Sequence, residues 1–306
     1  MDFEVLVDCD LLELHSFEEP IDAENKKVLS LANDFEDGKW RSQKFHDFIW
    51  DNMAETSLTQ RERESLAGRP SSILHAAAQN LRLTDSEKDV GQGSELAEIV
   101  LYGIMKHKYG ALPVVPKIFY KQNVNDFAKG ADSVHIVVKD DDFTLWFGEA
   151  KFYKDVEDAR LASIVKSVAN SLDTAKLKKE NAIICNVSEV DYLEIDPLLG
   201  EKIKNALSNR NSIDSLKPRL NIPILLLHEC SLTREERQFS AEYKKKLTEY
   251  HANRALSYFS KQLNSLGAKI HLYEQITFHV ILFPVPDKKS IVKRFVRHVQ
   301  LRREDD

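Results

Sequence analysis

Apolar residues recur along this chain with two different periods, and the alternation between them predicts an α/β protein. Residues 3–14 are apolar enough for a strand or two. Residues 43–58 place Phe45, Phe48, Ile49 and Met53 at helical spacing, and 71–81 reads as a short second helix after Arg69-Pro70. Gly91-Gln-Gly93-Ser94 breaks that rhythm, with Ser94 suited to cap a new helix. Residues 95–109 form that helix, closed by Gly110, with Leu96, Ile99, Val100 and Met105 among its apolar positions. Strands are expected over 113–120, 133–138 and 144–153, the last two joined by the Asp140-Asp141-Asp142 turn. A long helix is expected over 155–177. Residues 182–187 and 222–227 read as short strands buried on both faces. A mainly helical stretch over 233–266, a strand over 276–283 and a helix over Lys288–Arg303 complete the expectation of a mixed sheet flanked by helices.

Charge divides the chain near the same Gly91–Ser94 break. Residues 1–90 carry 20 Asp and Glu against 10 Lys and Arg, a net of −10, whereas 91–306 carry a net of +4. Two regions are therefore expected: an acidic N-terminal one of mixed helices and strands over 1–90, and a second over 91–306 that ends in a basic helix. In that last helix Lys288, Lys289, Lys293, Arg294, Arg297, Arg302 and Arg303 occur without one acid. Such a run suits the phosphates of a nucleic acid or an acidic patch on a protein, and an ordinary solvated face as well.

Several classes are set aside. No apolar run approaches the ~18 residues of a membrane span, so no membrane role is expected. The opening Met-Asp-Phe-Glu is acidic where an export signal is basic, and a cytoplasmic chain is expected. Cys9, Cys185 and Cys230 are odd in number and far apart, which suits free thiols. No HExxH, GxSxG or GxxxxGK[ST] pattern occurs, which argues against a histidine-built zinc site, a serine hydrolase and ATP hydrolysis.

One strand breaks its local rule. In Thr144-Leu-Trp-Phe-Gly-Glu-Ala-Lys-Phe-Tyr153, Leu145, Phe147, Glu149, Lys151 and Tyr153 share one face. Both faces are apolar apart from Glu149 and Lys151, and two charges in a buried strand cost several kcal/mol unless paired or given a metal. The acid-x-Lys spacing occurs five times in the chain, and only here does it lie in a strand of this kind. If the two strands around Asp140–Asp142 form a hairpin, Asp132 lands near Glu149. A third acid, Glu95, lies on the helix before the sheet, with Glu98 one turn further along, and the spacing leaves both open. Converging carboxylates suit a hard divalent cation, and a neighbouring lysine can orient a water or stabilise charge on a phosphate oxygen.

The Asp132…Glu149-x-Lys151 arrangement, with an acid-bearing helix before it, resembles the PD-(D/E)xK nuclease superfamily, although Ala131 stands where the name has proline. That resemblance implies a restriction-endonuclease-like core, here with an N-terminal α+β extension. It also implies Mg2+ (with Mn2+ as a substitute) on Asp132, Glu149 and Glu95, with Lys151 assisting hydrolysis. Gly93-Ser-Glu95-Leu, Lys129-Gly-Ala-Asp132-Ser-Val-His135 and Gly148-Glu-Ala-Lys-Phe-Tyr153 look more closely like the HamA-like nuclease subunit of Hachiman anti-phage systems. This second resemblance implies a DNase effector of low sequence specificity, controlled by a superfamily-2 helicase partner. Against the enzyme stand a structural ion pair between Glu149 and Lys151, ordinary turn chemistry at Asp132 and a helix-dipole role for Glu95 or Glu98. The corresponding functional rivals are a non-catalytic adaptor that binds DNA or a helicase, and an RNase.

Overall fold

The computed structural model describes residues 3–14, 23–83, 94–116, 118, 131–186, 193, 195–208 and 210–304. In chain order the elements begin with β1 (Glu4–Asp10), α1 (Leu11–Leu14), β2 (Lys26–Ala32), β3 (Phe35–Glu36), β4 (Lys39–Trp40), α2 (Ser42–Ser57), α3 (Gln60–Ser65) and α4 (Pro70–Asn80). Then come α5 (Ser94–Tyr109), β5 (Leu112–Val115), β6 (Ser133–Lys139), β7 (Asp142–Tyr153), α6 (Asp158–Ser171), α7 (Thr174–Asn186) and α8 (Pro197–Leu207). The chain closes with β8 (Leu220–Glu229), α9 (Ser231–Glu235), α10 (Ala241–Leu266), β9 (Thr277–Val285) and α11 (Lys288–Arg303). The fold is α/β, as the residue pattern predicts: a mixed sheet in the order β1-β2-β9-β8-β7-β6-β5, flanked by helices. A two-residue ribbon of β3 and β4 stands apart from it.

Strands β2, β9, β8 and β7 run parallel, and their near-continuous apolar sequences are what burial on both faces requires. One face packs against α6 and α10 around Phe147, Ile164, Val165, Val168, Tyr258 and Phe259. The other packs against α2, α5 and α11 around Trp146, Ala150, Phe48, Val100 and Phe295. Strand alternation thus sends Glu149 and Lys151 toward α6, and Ala150 and Phe152 toward α5.

Two expectations change. The strand expected over 182–187 is instead, as far as Asn186, the end of α7, where Ile184 is buried in the core; residue 187 lies outside the described residues. A short apolar run fits a buried helix as well as a strand, and the segment continues the helix begun at Thr174. The helix expected over 155–177 is two, α6 and α7, parted at Leu172-Asp173. From the acidic region before residue 90, β1 and β2 enter the same sheet as the later strands, and β2 pairs in parallel with β9. The strand expected over 113–120 is formed at Leu112–Val115, and most of its remainder lies outside the described residues.

The basic helix is largely spent inside the molecule. Lys288 is buried and donates to the Phe152 carbonyl at the end of β7, 2.8 Å away. Arg294 reaches Ser42 Oγ at 3.0 Å and Gln43, Arg302 lies over the Trp50 ring, and Arg303 donates to the carbonyls of Ala78 and Leu81. Lys289, Lys293 and Arg297, spaced by one turn, remain on the exposed face.

A hydrogen-bonded chain ties α10 to the sheet where no motif announces it. His228 Nδ1 lies 3.2 Å from the Glu229 carbonyl, His251 Nε2 3.1 Å from His228 Nε2, and Ser30 Oγ 2.6 Å from His251 Nδ1. The carbonyl can only accept, so His228 Nδ1 carries the proton of that bond. Burial pushes His228 down to about 4, and burial together with His228 pushes His251 well below its ordinary value. Burial alone takes His135 to about 3.

Two measurements check this packing. A folded-state pKa below the unfolded one means that the unfolded chain binds more protons between pH 6.5 and about 4. Stability is therefore full above pH 6.5 and falls with pH below it, and His251→Gln should flatten that slope in urea titrations run at successive pH values. A Cβ on Gly148 would overlap Ser133 Oγ and come within 2.8 Å of Leu101 Cδ2, so Gly148→Ala should lower unfolding stability by about 1–3 kcal/mol.

Candidate active site

The site grows out of the β6–β7 hairpin. Asp140 and Asp141 take left-handed backbone angles, φ 50° and 58°, and Asp is among the residues that tolerate them. That two-residue turn fixes an antiparallel register in which Ser133 pairs with Gly148. One step further, the Asp132 N–H donates to the Gly148 carbonyl at 2.7 Å, so Asp132 stands beside Glu149. On the far side of β7 the ladder to β8 runs from Trp146 opposite Asn221 directly to Glu149 opposite Ile224. Pro223 lies in the gap with no N–H to give, which is unusual for a central strand and occurs here immediately before Glu149.

Three charged groups meet at this point. Lys151 Nζ lies 3.1 Å from Glu149 Oε2 and 3.3 Å from Asp132 Oδ2. Asp132 Oδ2 also accepts the Ala150 N–H at 3.0 Å. The Glu149 side chain is 4% exposed, against 17% for Asp132 and 25% for Lys151, so the cluster opens to solvent on the Asp132–Lys151 side. Burial opposes the charge on Lys151, but the Asp132 and Glu149 carboxylates outweigh it and hold its pKa above the ordinary lysine value. The lysine is an ammonium at neutral pH.

Helix α6 completes the surroundings of Glu149. Ser167 Oγ donates to Glu149 Oε2 at 2.9 Å, and Ser171 Oγ donates to Glu149 Oε1. One turn earlier, Ser163 Oγ lies 3.4 Å from the Tyr153 hydroxyl, and Arg160 lies over the Tyr153 ring at 5.6 Å. A further buried acid, Glu180 of α7, accepts the Ala131 N–H at 3.2 Å and so anchors the backbone just before Asp132. No motif in the sequence marks Ser167, Ser171 or Glu180. Hydroxyls recurring every fourth residue at Ser163, Ser167 and Ser171, beside the apolar Ile164 and Val168, are the one local signal of the serines.

Asp132, Glu149 and Lys151 are thus brought together, while Glu95 is engaged elsewhere. Its two carboxylate oxygens accept the backbone N–H groups of Arg82 and Leu83 at 2.7 and 2.8 Å. Glu98 lines a small cavity together with Thr56, Tyr102, Asp132 and Ser133. Glu95, expected as a metal ligand, holds two backbone N–H groups in this structure, and the reason is non-local. The chain after α4 folds back and presents two N–H groups to the first turn of α5. His135 points to the opposite face and packs on Tyr102, with ring centroids 4.9 Å apart. Among the described residues no group of three His, Cys, Asp or Glu side chains converges as a metal site. What the arrangement offers is two oxygen-donor groups facing one cation position, with an ammonium in it.

A family model described as HamA matches residues 8–299, a span that holds Asp132, Glu149 and Lys151. The chain belongs to the HamA family. No curated protein matches it. Membership of the HamA family ties the chain to Hachiman defence systems. No helix among the described residues is long and apolar enough to cross a membrane.

The two helix acids can be told apart experimentally. Glu95→Gln should remove one of two backbone acceptors, lower stability by about 1–3 kcal/mol and speed hydrogen exchange at the Arg82 and Leu83 amides. It should leave the Lys151–Glu149 pairing in place. Glu98→Gln should leave those two amides protected.

Proposed function

We propose that this HamA-family chain is a Mg2+-dependent nuclease that cuts DNA with little sequence preference, as the effector of a Hachiman anti-phage system in the cytoplasm. In this reading the sheet and hairpin form a restriction-endonuclease-like core of the PD-(D/E)xK kind. The observation that carries it is the largely buried Asp132–Lys151–Glu149 cluster, in which two carboxylates, one on β7 and one just before β6, hold one ammonium between them. The donor set fits magnesium, with Mn2+ as a substitute: two carboxylates and an open side suit a small hard cation that keeps several of its waters. When bound, the ion supplies a polarised water and neutralises charge on the phosphate.

The protein's own groups divide the remaining work. Asp132 and Glu149 present oxygens from a rigid hairpin whose register the Asp140–Asp141 turn fixes. Lys151, as an ammonium, donates hydrogen bonds; turned from the carboxylates toward the open side, it holds an attacking water or a phosphate oxygen. Tyr153, two residues beyond Lys151 on the same face of β7, and Arg160 over its ring can meet the adjoining nucleic-acid backbone. A nuclease with no recognisable base-reading module endangers its own host, so a superfamily-2 helicase partner is proposed to restrain it.

A second reading draws on the same cluster. Lys151, Ser167 and Ser171 satisfy Glu149 without any divalent ion, which is also how a purely structural ion pair in a non-catalytic adaptor is built.

Cleavage of plasmid, linear DNA and RNA in Mg2+ and in EDTA separates the possibilities. The nuclease reading predicts Mg2+-dependent DNA cutting that falls at least 100-fold in Glu149→Ala and in Lys151→Ala, with DNA binding retained. Cutting of RNA alone makes the chain an RNase. Activity in the defence assay that survives both substitutions but is lost on reversing Lys289, Lys293 and Arg297 makes it an adaptor. Reversing the buried Lys288 or Arg303 would confuse fold with function. Equal cutting with and without the helicase would remove the restraint from the proposal.

A further inference from the structure

Glu149 is held more firmly than an ion pair needs. Its Oε2 accepts from Lys151 at 3.1 Å and from Ser167 at 2.9 Å, and its Oε1 accepts from Ser171. Each carboxylate oxygen offers about two acceptor directions. Among the described residues Oε2 is therefore filled while the ammonium is present, and Oε1 accepts one hydrogen bond and keeps one direction. The two hydroxyls come from residues four apart on one helix and grip both oxygens, which fixes rotation of the carboxylate plane as well as its place. Ser171 also lies 3.1 Å from the Ser167 carbonyl, but its single proton has Glu149 as the closer acceptor.

The helix that carries these hydroxyls is itself anchored. At the start of α6, Asp158 accepts from Ser257 at 2.7 Å and pairs with Lys261 at 3.3 Å and Arg254 at 3.4 Å, all three on α10. Helix α10 is in turn tied to β2 and β8 through His251, which links Ser30 and His228. A carboxylate gripped from a fixed helix keeps its free acceptor directions oriented before any ligand arrives, and groups behind a metal ligand commonly govern affinity by 10- to 100-fold.

We infer that Ser167 and Ser171 are positioning residues that orient the Glu149 carboxylate for a divalent cation. The inference rests on the nuclease reading above. When Lys151 turns away, one direction on Oε2 is released beside the remaining one on Oε1, and the serine pair keeps both in place. A merely structural role for the hydroxyls predicts lost stability with unchanged metal affinity; orientation predicts the reverse emphasis.

The test uses the full chain and two readouts: Mn2+ binding by electron paramagnetic resonance, and the Mg2+ concentration that half-saturates DNA cleavage. Ser167→Ala/Ser171→Ala should weaken Mn2+ binding and raise the Mg2+ half-saturation by about 10- to 100-fold. KM for DNA should be unchanged and cleavage largely recovered at high Mg2+. Ser167→Thr and Ser171→Thr, which keep the hydroxyl, should stay near wild type. A folded double variant with wild-type Mn2+ affinity overturns the inference and leaves the nuclease reading standing. A wild-type chain that neither binds Mn2+ nor cuts overturns both. If the double variant does not fold, each single alanine exchange carries the same comparison, with an expected weakening of at least several-fold.

Discussion

The ammonium of Lys151, shared between Asp132 and Glu149 at the sheet, is the interaction around which the neighbouring structure is arranged. Three formal charges on and beside a largely buried strand are unfavourable one by one. Together, each satisfies the others, and the cost of taking them out of water is offset by short contacts and by the Ala150, Ser167 and Ser171 donors. A similarly sized apolar cluster would hold the sheet at least as well. A charged cluster that breaks the local rule of a buried strand is what favours the proposed chemistry at this point.

The surrounding fold can be understood as the means of holding that cluster still. The β6–β7 turn sets which residue faces Glu149, and Gly148 lets Ser133 and Leu101 come close to the strand beside it. Pro223 interrupts the β7–β8 ladder at the same height. From behind, α6 supplies hydroxyls, α7 fixes the backbone before Asp132 through Glu180, and α10 anchors α6 through Asp158. Lys288 fastens the end of β7 to the start of α11, so even the basic helix contributes to the site's frame before it can meet any partner.

Local periodicity makes much of this legible in the sequence. The hairpin, the facing of Asp132 and Glu149, the helix α5 and the buried strand β8 all derive from alternation, turn residues and capping. The features that escape depend on distant contacts. Strand β2 is not expected, because Lys26–Ala32 is short and opens with two lysines; it becomes a strand by pairing with β1 and β9. Residues 182–186 are apolar enough for a strand, and their continuity with Thr174 decides for helix. Glu95 and Glu98 are indistinguishable by spacing, and the difference arises from the Arg82 and Leu83 amides, twelve and more residues away. The His228–His251–Ser30 chain joins three elements and leaves no local trace in the sequence.

The central claim is that Asp132 and Glu149 form a divalent-cation position which the Lys151 ammonium fills in its place. Anomalous diffraction from crystals of the full chain equilibrated with Mn2+ tests it most directly. The claim predicts a manganese peak between the Asp132 and Glu149 carboxylates, with Lys151 turned toward the open side and Ser167 and Ser171 still on Glu149. No manganese between those carboxylates at saturating concentration, with Lys151 still bridging them, would contradict it.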